Sequence, residues 1–192
     1  MHIHVRLKES VKRVRGSTAV QLVLSACFLL PLVAGIYLST GTNRRSAHAT
    51  EVSRDLASMY AQGVDFSQPA NQNIARQLLN GSDGKALLIL TRIRGVGPAD
   101  CGSTPVAQCS NNGYAVITQR IVIGDPSLRP SSLGDPLSID QTTGNVLGWT
   151  TDASARVTDS SVTLKPGESA LAVEAFIGGP DEQSGVYSRT LL

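Results

Sequence analysis

The sequence predicts an α+β protein in which one long N-terminal helix packs on an antiparallel β-sheet. Three observations lead there. An uncharged apolar run, AVQLVLSACFLLPLVAGIY, fills positions 19–37. A stripe of helical period follows it over 46–64. Beyond residue 84, apolar positions alternate with the period of half-buried strands. Such a sheet has one apolar face and an amphipathic helix one apolar stripe, and packing one on the other buries both.

The first segment, 1–16, is a basic arm. It holds Arg6, Lys8, Lys12, Arg13 and Arg15 against a single acid, Glu9, a net +4. From Ser17 onward 12 bases meet 14 acids, a net −2. The overall pI of 8.5 therefore belongs to the arm. A mildly acidic body offers no basic footprint for nucleic acid, so no nucleic-acid partner is expected. Residues 17–40 read as a transmembrane helix, because 19 to 21 apolar residues reach about 30 Å, the thickness of the bilayer's hydrocarbon core. Pro31 is tolerable in such a helix, and Tyr37 stands where an interfacial aromatic would anchor its end. Five bases precede the run and three follow it (Arg44, Arg45, Arg54). The positive-inside rule then places the arm in the cytoplasm and the body across the membrane.

Residues 41–66 are expected to continue the helix as an extracytoplasmic amphipathic stalk. Val52, Leu56, Met59, Tyr60 and Gly63/Val64 form one stripe, with Arg45, Glu51, Arg54, Asp55 and Gln62 largely elsewhere. The α+β body, 67–192, opens with a short helix near 71–79 that ends at Asn80-Gly81. KALLILTRIRGV (85–96) and YAVITQRIVIGD (114–125) read as two strands of a hairpin, with Ala115, Ile117, Ile121 and Ile123 on one face. Residues 125–160, rich in Gly, Pro, Ser, Asp and Thr, read as a surface loop anchored by Trp149. SVTLK (161–165), a Pro-Gly-Glu turn and SALAVEAFIG (169–178) read as a second hairpin.

Cys101 and Cys109 lie between the first two strands, in GPADCGSTPVAQCSNNG. Two cysteines eight apart in a loop, in an oxidising compartment, predict a disulfide ring. No other Cys or His falls at zinc-ligand spacing, and His48 is the only histidine of the body. Cys27, inside the apolar run, reads as a small buried hydrophobe. No Gly-x-Ser-x-Gly, His-Glu-x-x-His or P-loop occurs, and RGVGPADCG lacks the third glycine of a dinucleotide fingerprint. Asp125, Asp135 and Asp140 sit in turn contexts that favour local backbone bonds. No catalytic residue, metal or cofactor is expected.

The border RVRGSTAVQLVL (13–24) admits three readings. It is a plain membrane anchor, or a secretory signal cut after Ala47-His48-Ala49, or a prepilin leader in which a basic arm and a glycine precede a retained helix. VRGSTAVQLVLSACFLLPLVAGIYLS, with TEVSRDLASMYAQGVDFSQ behind it and GESALAVEAFIG late in the chain, resembles the TadE-like pseudopilins of the tight-adherence pilus machinery. The late strand carries an embedded acid, Glu174.

That resemblance implies a pilin-like fold and cleavage between Gly16 and Ser17 by an inner-membrane prepilin peptidase. It also implies a bacterial inner-membrane protein whose partners are the membrane and other pilin-like or Tad assembly subunits. Glycine suits such a site, since it leaves the backbone unobstructed. Pilin-like chains usually carry Glu at the fifth mature position, and here that position is Gln21. A glutamine can accept a hydrogen bond but cannot neutralise a neighbour's N-terminal ammonium in a low-dielectric bundle. The departure implies a minor component. The alternative is an uncleaved single-pass envelope protein with an extracytoplasmic binding domain.

Overall fold

The computed structural model describes residues 3–79, 85–102, 105, 108–179 and 185–192, and the described side chains of the first helix begin at Val20. The elements are α1 (Ile3–Ala61), α2 (Pro69–Leu79), β1 (Ala86–Gly95), β2 (Ala115–Gly124), β3 (Ser169–Gly178) and β4 (Gly185–Leu191). Two compact units divide at Arg44/Arg45. The described residues of the first all belong to α1. The second contains the end of α1 and everything after it.

Among the described residues no helix is long and apolar enough to cross a membrane. The expected span 17–40 includes 17–19 and 37–39, whose side chains lie outside the description.

In the second unit the expected stripe is the buried one. Val52, Leu56 and Tyr60 are buried together with Ala49 and Ala57, while Glu51, Arg54, Asp55 and Gln62 are exposed. The helix ends at Ala61 rather than running on to residue 66. Gly63, at φ +89°, takes the left-handed conformation that closes a helix C-terminus, and Val64 N–H then bonds back to Met59 C=O at 3.1 Å. Asp65 accepts from Ser67 N–H at 2.9 Å, and Pro69 opens α2, where a missing N–H costs nothing.

The four strands form one antiparallel sheet in the order β2-β1-β3-β4. Leu88, Leu90, Ile121, Ile123, Val173 and Ala175 point to one face, where they join Val52, Leu56, Tyr60, Phe66, Ala75 and Leu79 in a single core. Polar contacts set this packing. Tyr60 donates to Gln119 Oε1 at 2.7 Å, and Ser53 Oγ lies 3.1 Å from Ser188 Oγ and 3.0 Å from Thr190 Oγ1.

Three sequence expectations are corrected. SVTLK is not a strand. Gly95 N–H bonds to Glu168 C=O at 2.9 Å and Gly167 N–H to Gly95 C=O at 2.8 Å, so the Pro-Gly-Glu turn docks on the end of β1. The hairpin partner of β3 is β4, a strand with no fully buried residue. Ile117 and Ile121 do not share a face either. A bulge between Arg92 and Ile93 shifts the β1–β2 register, and a one-residue shift sends the following side chains to the other side.

The third correction concerns 125–160, which is not merely a surface loop. Leu133, Val146 and Ala155 are buried in a second core on the opposite face of the sheet, with Ile93, Ile117, Ala170 and Ala172. Trp149 packs against this core, half-buried as the expected anchor. Cys101 and Cys109 are joined, with Cα atoms 5.8 Å apart, and both are buried in the same core. Beside them Asn111, fully buried, donates to Trp149 C=O at 2.8 Å and Asp152 C=O at 2.6 Å, and accepts from Arg156 Nε at 2.8 Å. The disulfide therefore braces the tip that holds the far half of the covering segment. Replacing both cysteines by serine is expected to cost about 2–3 kcal/mol by loop-closure entropy, read as a lower urea midpoint of the unit 45–192. An unchanged midpoint would deny the bond a structural role.

Candidate functional site

Two features stand apart from ordinary core packing: the apolar surface of α1 and a buried charge on β3. From Val20 to Ile36, ten large apolar side chains are 55–75 % exposed. At about 100° per residue they occupy every side of the helix, leaving no polar face. Water does not favour such a surface. Pro31 lies within it and removes the N–H that would have bonded the Cys27 carbonyl.

The sequence-predicted site residues fall in three places. Gly16 and Ser17 lie within α1, and their side chains are outside the described residues. Gln21 is exposed on the apolar segment. Cys101 and Cys109 form the brace described above. Cys27, expected to be buried, is exposed in the single chain.

Glu174 lies in the middle of β3, 2 % exposed. β3 is an inner strand, and its alternation turns Glu174 toward the segment 125–160. Its carboxylate accepts from Ser131 Oγ at 2.5 Å, Ser132 N–H at 2.9 Å, Ser132 Oγ at 2.8 Å and Tyr187 OH at 2.7 Å. Arg120, 4 % exposed on β2, donates to Ser131 Oγ at 3.1 Å and to Gly134 C=O. Ser131 thus links the two buried charges. On the β4 side Arg189 reaches Ser132 Oγ at 3.2 Å and pairs with Asp159, so the network also ties down the far end of the covering segment. Arg129 stacks 4.1 Å over the Tyr187 ring.

Burial alone would push the Glu174 carboxyl up. The donors Ser131, Tyr187 and Ser132 outweigh it and hold the group below the usual carboxylate range. Asp159 falls to about 2 through hydrogen bonds from Ser161 and Arg189. Burial also draws Arg120 down, opposed by Glu174 and Asp135, and an arginine stays charged regardless. Tyr187 is pushed up to about 12, chiefly by burial.

With four donors on one carboxylate, Glu174 is occupied as an anchor and has no lone pair directed at a substrate. Among the described residues no cluster of three or more His, Cys, Asp or Glu is placed to hold a metal. The sequence reading singled out Glu174 but missed Arg120, Ser131, Ser132, Tyr187 and Arg189. One signal was available: an acid in SALAVEAFIG and a base in YAVITQRIVIGD each interrupt an apolar strand, and a buried charge demands partners.

Comparisons with protein-family models, with curated proteins and with solved structures find no match to this chain.

Glu174→Ala is expected to destabilise the unit 45–192 by about 3 kcal/mol, since it leaves four donors without their acceptor and removes the carboxylate whose charge faces Arg120. Denaturant unfolding reads this directly, and protease cleavage near 129–135 should rise with it. Stability should also depend on acid. Glu174 and Asp159 both have folded values below their unfolded ones, so their contribution is complete above about pH 4–5. It is lost as pH falls toward 2, through the folded value of Asp159. Urea midpoints between pH 2 and 6 should show this decline, and Glu174→Gln should flatten it.

Proposed function

We propose that this chain is a TadE-like minor pseudopilin or pilus-assembly protein of the bacterial inner membrane. It crosses the membrane once, its basic arm cytoplasmic and its α+β body extracytoplasmic, and acts in tight-adherence pilus biogenesis and surface attachment. The observation that carries this reading is the segment Val20–Ile36, a helical surface apolar on every side and exposed in the single chain. With Ala19 and Tyr37 the run spans about 28 Å, close to the bilayer's hydrocarbon thickness. The same helix continues as a stalk whose one apolar stripe is buried against an antiparallel sheet, the arrangement that the resemblance implies. The role is one of assembly and contact rather than catalysis.

In this reading a prepilin peptidase cuts between Gly16 and Ser17. The arm and its +4 charge leave, and the apolar helix becomes the N-terminus. Gln21 in place of the usual glutamate favours a second reading, an uncleaved single-pass envelope protein, since a plain anchor needs no charge there. The two readings share a topology and part at maturation. The N-terminus of the protein from native membranes, by intact mass with and without the peptidase, is expected to be Ser17 only when the peptidase is present. A chain beginning at Met1 in both strains would favour the uncleaved anchor.

A further inference from the structure

We propose that the covered face of the sheet holds one internal water molecule between Thr91 and Arg120, accepting from the Arg120 Nε–H and bonded to the Thr91 hydroxyl. The inference concerns the core of the unit 45–192 and is independent of the membrane reading. Thr91 on β1 and Arg120 on β2 are direct cross-strand partners, so their side chains rise from the same face of the sheet. Thr91 is fully buried and Arg120 is 4 % exposed. Arg120 gives its two terminal nitrogens to Ser131 Oγ and Gly134 C=O. Its Nε has no hydrogen-bond partner among the described residues, and neither has Thr91 Oγ1.

A buried donor without an acceptor is costly, because folding has taken it from water and returned nothing. Here two such atoms stand at directly opposed positions. The guanidinium is held by Ser131 and Gly134, which keeps it from turning to Thr91. One small group between them satisfies both atoms at once. Space comes from the third strand: Ala172, opposite Thr91 on β3, has only a methyl side chain.

The surrounding charge selects water as that group. A cation is repelled by the guanidinium. An anion would find Arg120 already facing the Glu174 carboxylate, with Asp135 3.7 Å from Nη1. Water is neutral, accepts from the Nε–H, and can either donate to or accept from the threonine hydroxyl. Buried waters typically bridge polar groups in this way, and they are costly to remove. The bridge also extends the Glu174 network. That network draws hydrogen-bonding side chains from β2, β3 and β4 but none from β1, and the water would join β1 to it through Thr91.

Crystallography of the full chain tests the site directly. One ordered water is expected within about 3.2 Å of both Thr91 Oγ1 and Arg120 Nε. Direct contact between the two atoms, or density for no water there, would overturn the proposal. An anomalous peak at the same place in crystals grown with bromide would make it an anion site and overturn the assignment of water. Stability gives a second readout in the full chain, with Trp149 fluorescence reporting urea unfolding. Thr91→Val keeps the shape and removes the hydroxyl, and is expected to lower the midpoint by roughly 0.5 M. Thr91→Ser should retain most of the native midpoint. A hydroxyl that was simply orphaned would be better replaced by a methyl, so an unchanged or higher midpoint for Thr91→Val would overturn the bridge. In an Arg120→Lys background, which lacks the Nε–H, the effect of Thr91→Val should shrink at least twofold. An equal effect in both backgrounds would overturn the link between the two residues, and the crystal and the single variants decide the matter if the lysine variant does not fold.

Discussion

Glu174 puts a charge in the middle of an inner strand, and much of the second unit is arranged around satisfying it. A four-stranded sheet has two faces, and the stripe of α1 with α2 covers one. The other has no α-helix among the described residues, only short 3-10 turns such as Pro98–Cys101 and Ala153–Ala155, so a largely irregular segment must cover it. Irregular backbone brings unpaired N–H and C=O groups and little periodic hydrophobicity, and is a poor cover unless it is pinned. Glu174 pins it at Ser131 and Ser132, which seats Leu133 in the core between them and Gly134. Asn111 pins it again at 149–152, beside the disulfide. The apolar burial of the second core depends on these polar contacts as much as they depend on it, because Glu174 would be intolerable without the donors that Leu133 helps to hold in place.

The same constraint accounts for β4. None of its residues is fully buried, yet both of its faces are tied. Ser188 and Thr190 meet Ser53 on α1, while Tyr187 and Arg189 reach the Glu174 network on the other side. The strand is thus held by its backbone ladder with β3 and by side-chain hydrogen bonds rather than by apolar area. It connects the two layers: Ser53 couples it to the stalk, Tyr187 to the covering segment.

That division also explains what could be read in advance. β3 occupies the positions that SALAVEAFIG marked, and the hairpin of β1 and β2 closes on the expected disulfide, because apolar alternation and cysteine spacing are local signals. β4 carries no such signal. GVYSRTL offers two apolar positions in a polar, hydroxyl-rich stretch, and its reason to be a strand lies in partners elsewhere in the chain. SVTLK misled for the opposite reason, since Val162 and Leu164 alternate correctly but pack as covering segment rather than ladder. The bulge at Arg92/Ile93 was invisible because either register satisfies the local pattern. The N-terminal border is legible as chemistry, a basic arm, a glycine and an apolar run, while the partner of that run is not written in any local pattern.

The apolar run contains its own evidence about surroundings. Two polar defects interrupt it: the Gln21 amide, and the Cys27 carbonyl that Pro31 leaves without its helical donor. Water would satisfy both at once, but water disfavours the ten large apolar side chains between Val20 and Ile36. Lipid accepts those side chains and leaves both defects unmet. An apolar environment that also offers hydrogen-bonding groups would suit the whole segment. A purely passive anchor would be better served by leucine at both positions. Under the proposed membrane placement the two defects ask for hydrogen-bonding groups beside the segment, whether or not Gly16 is cut.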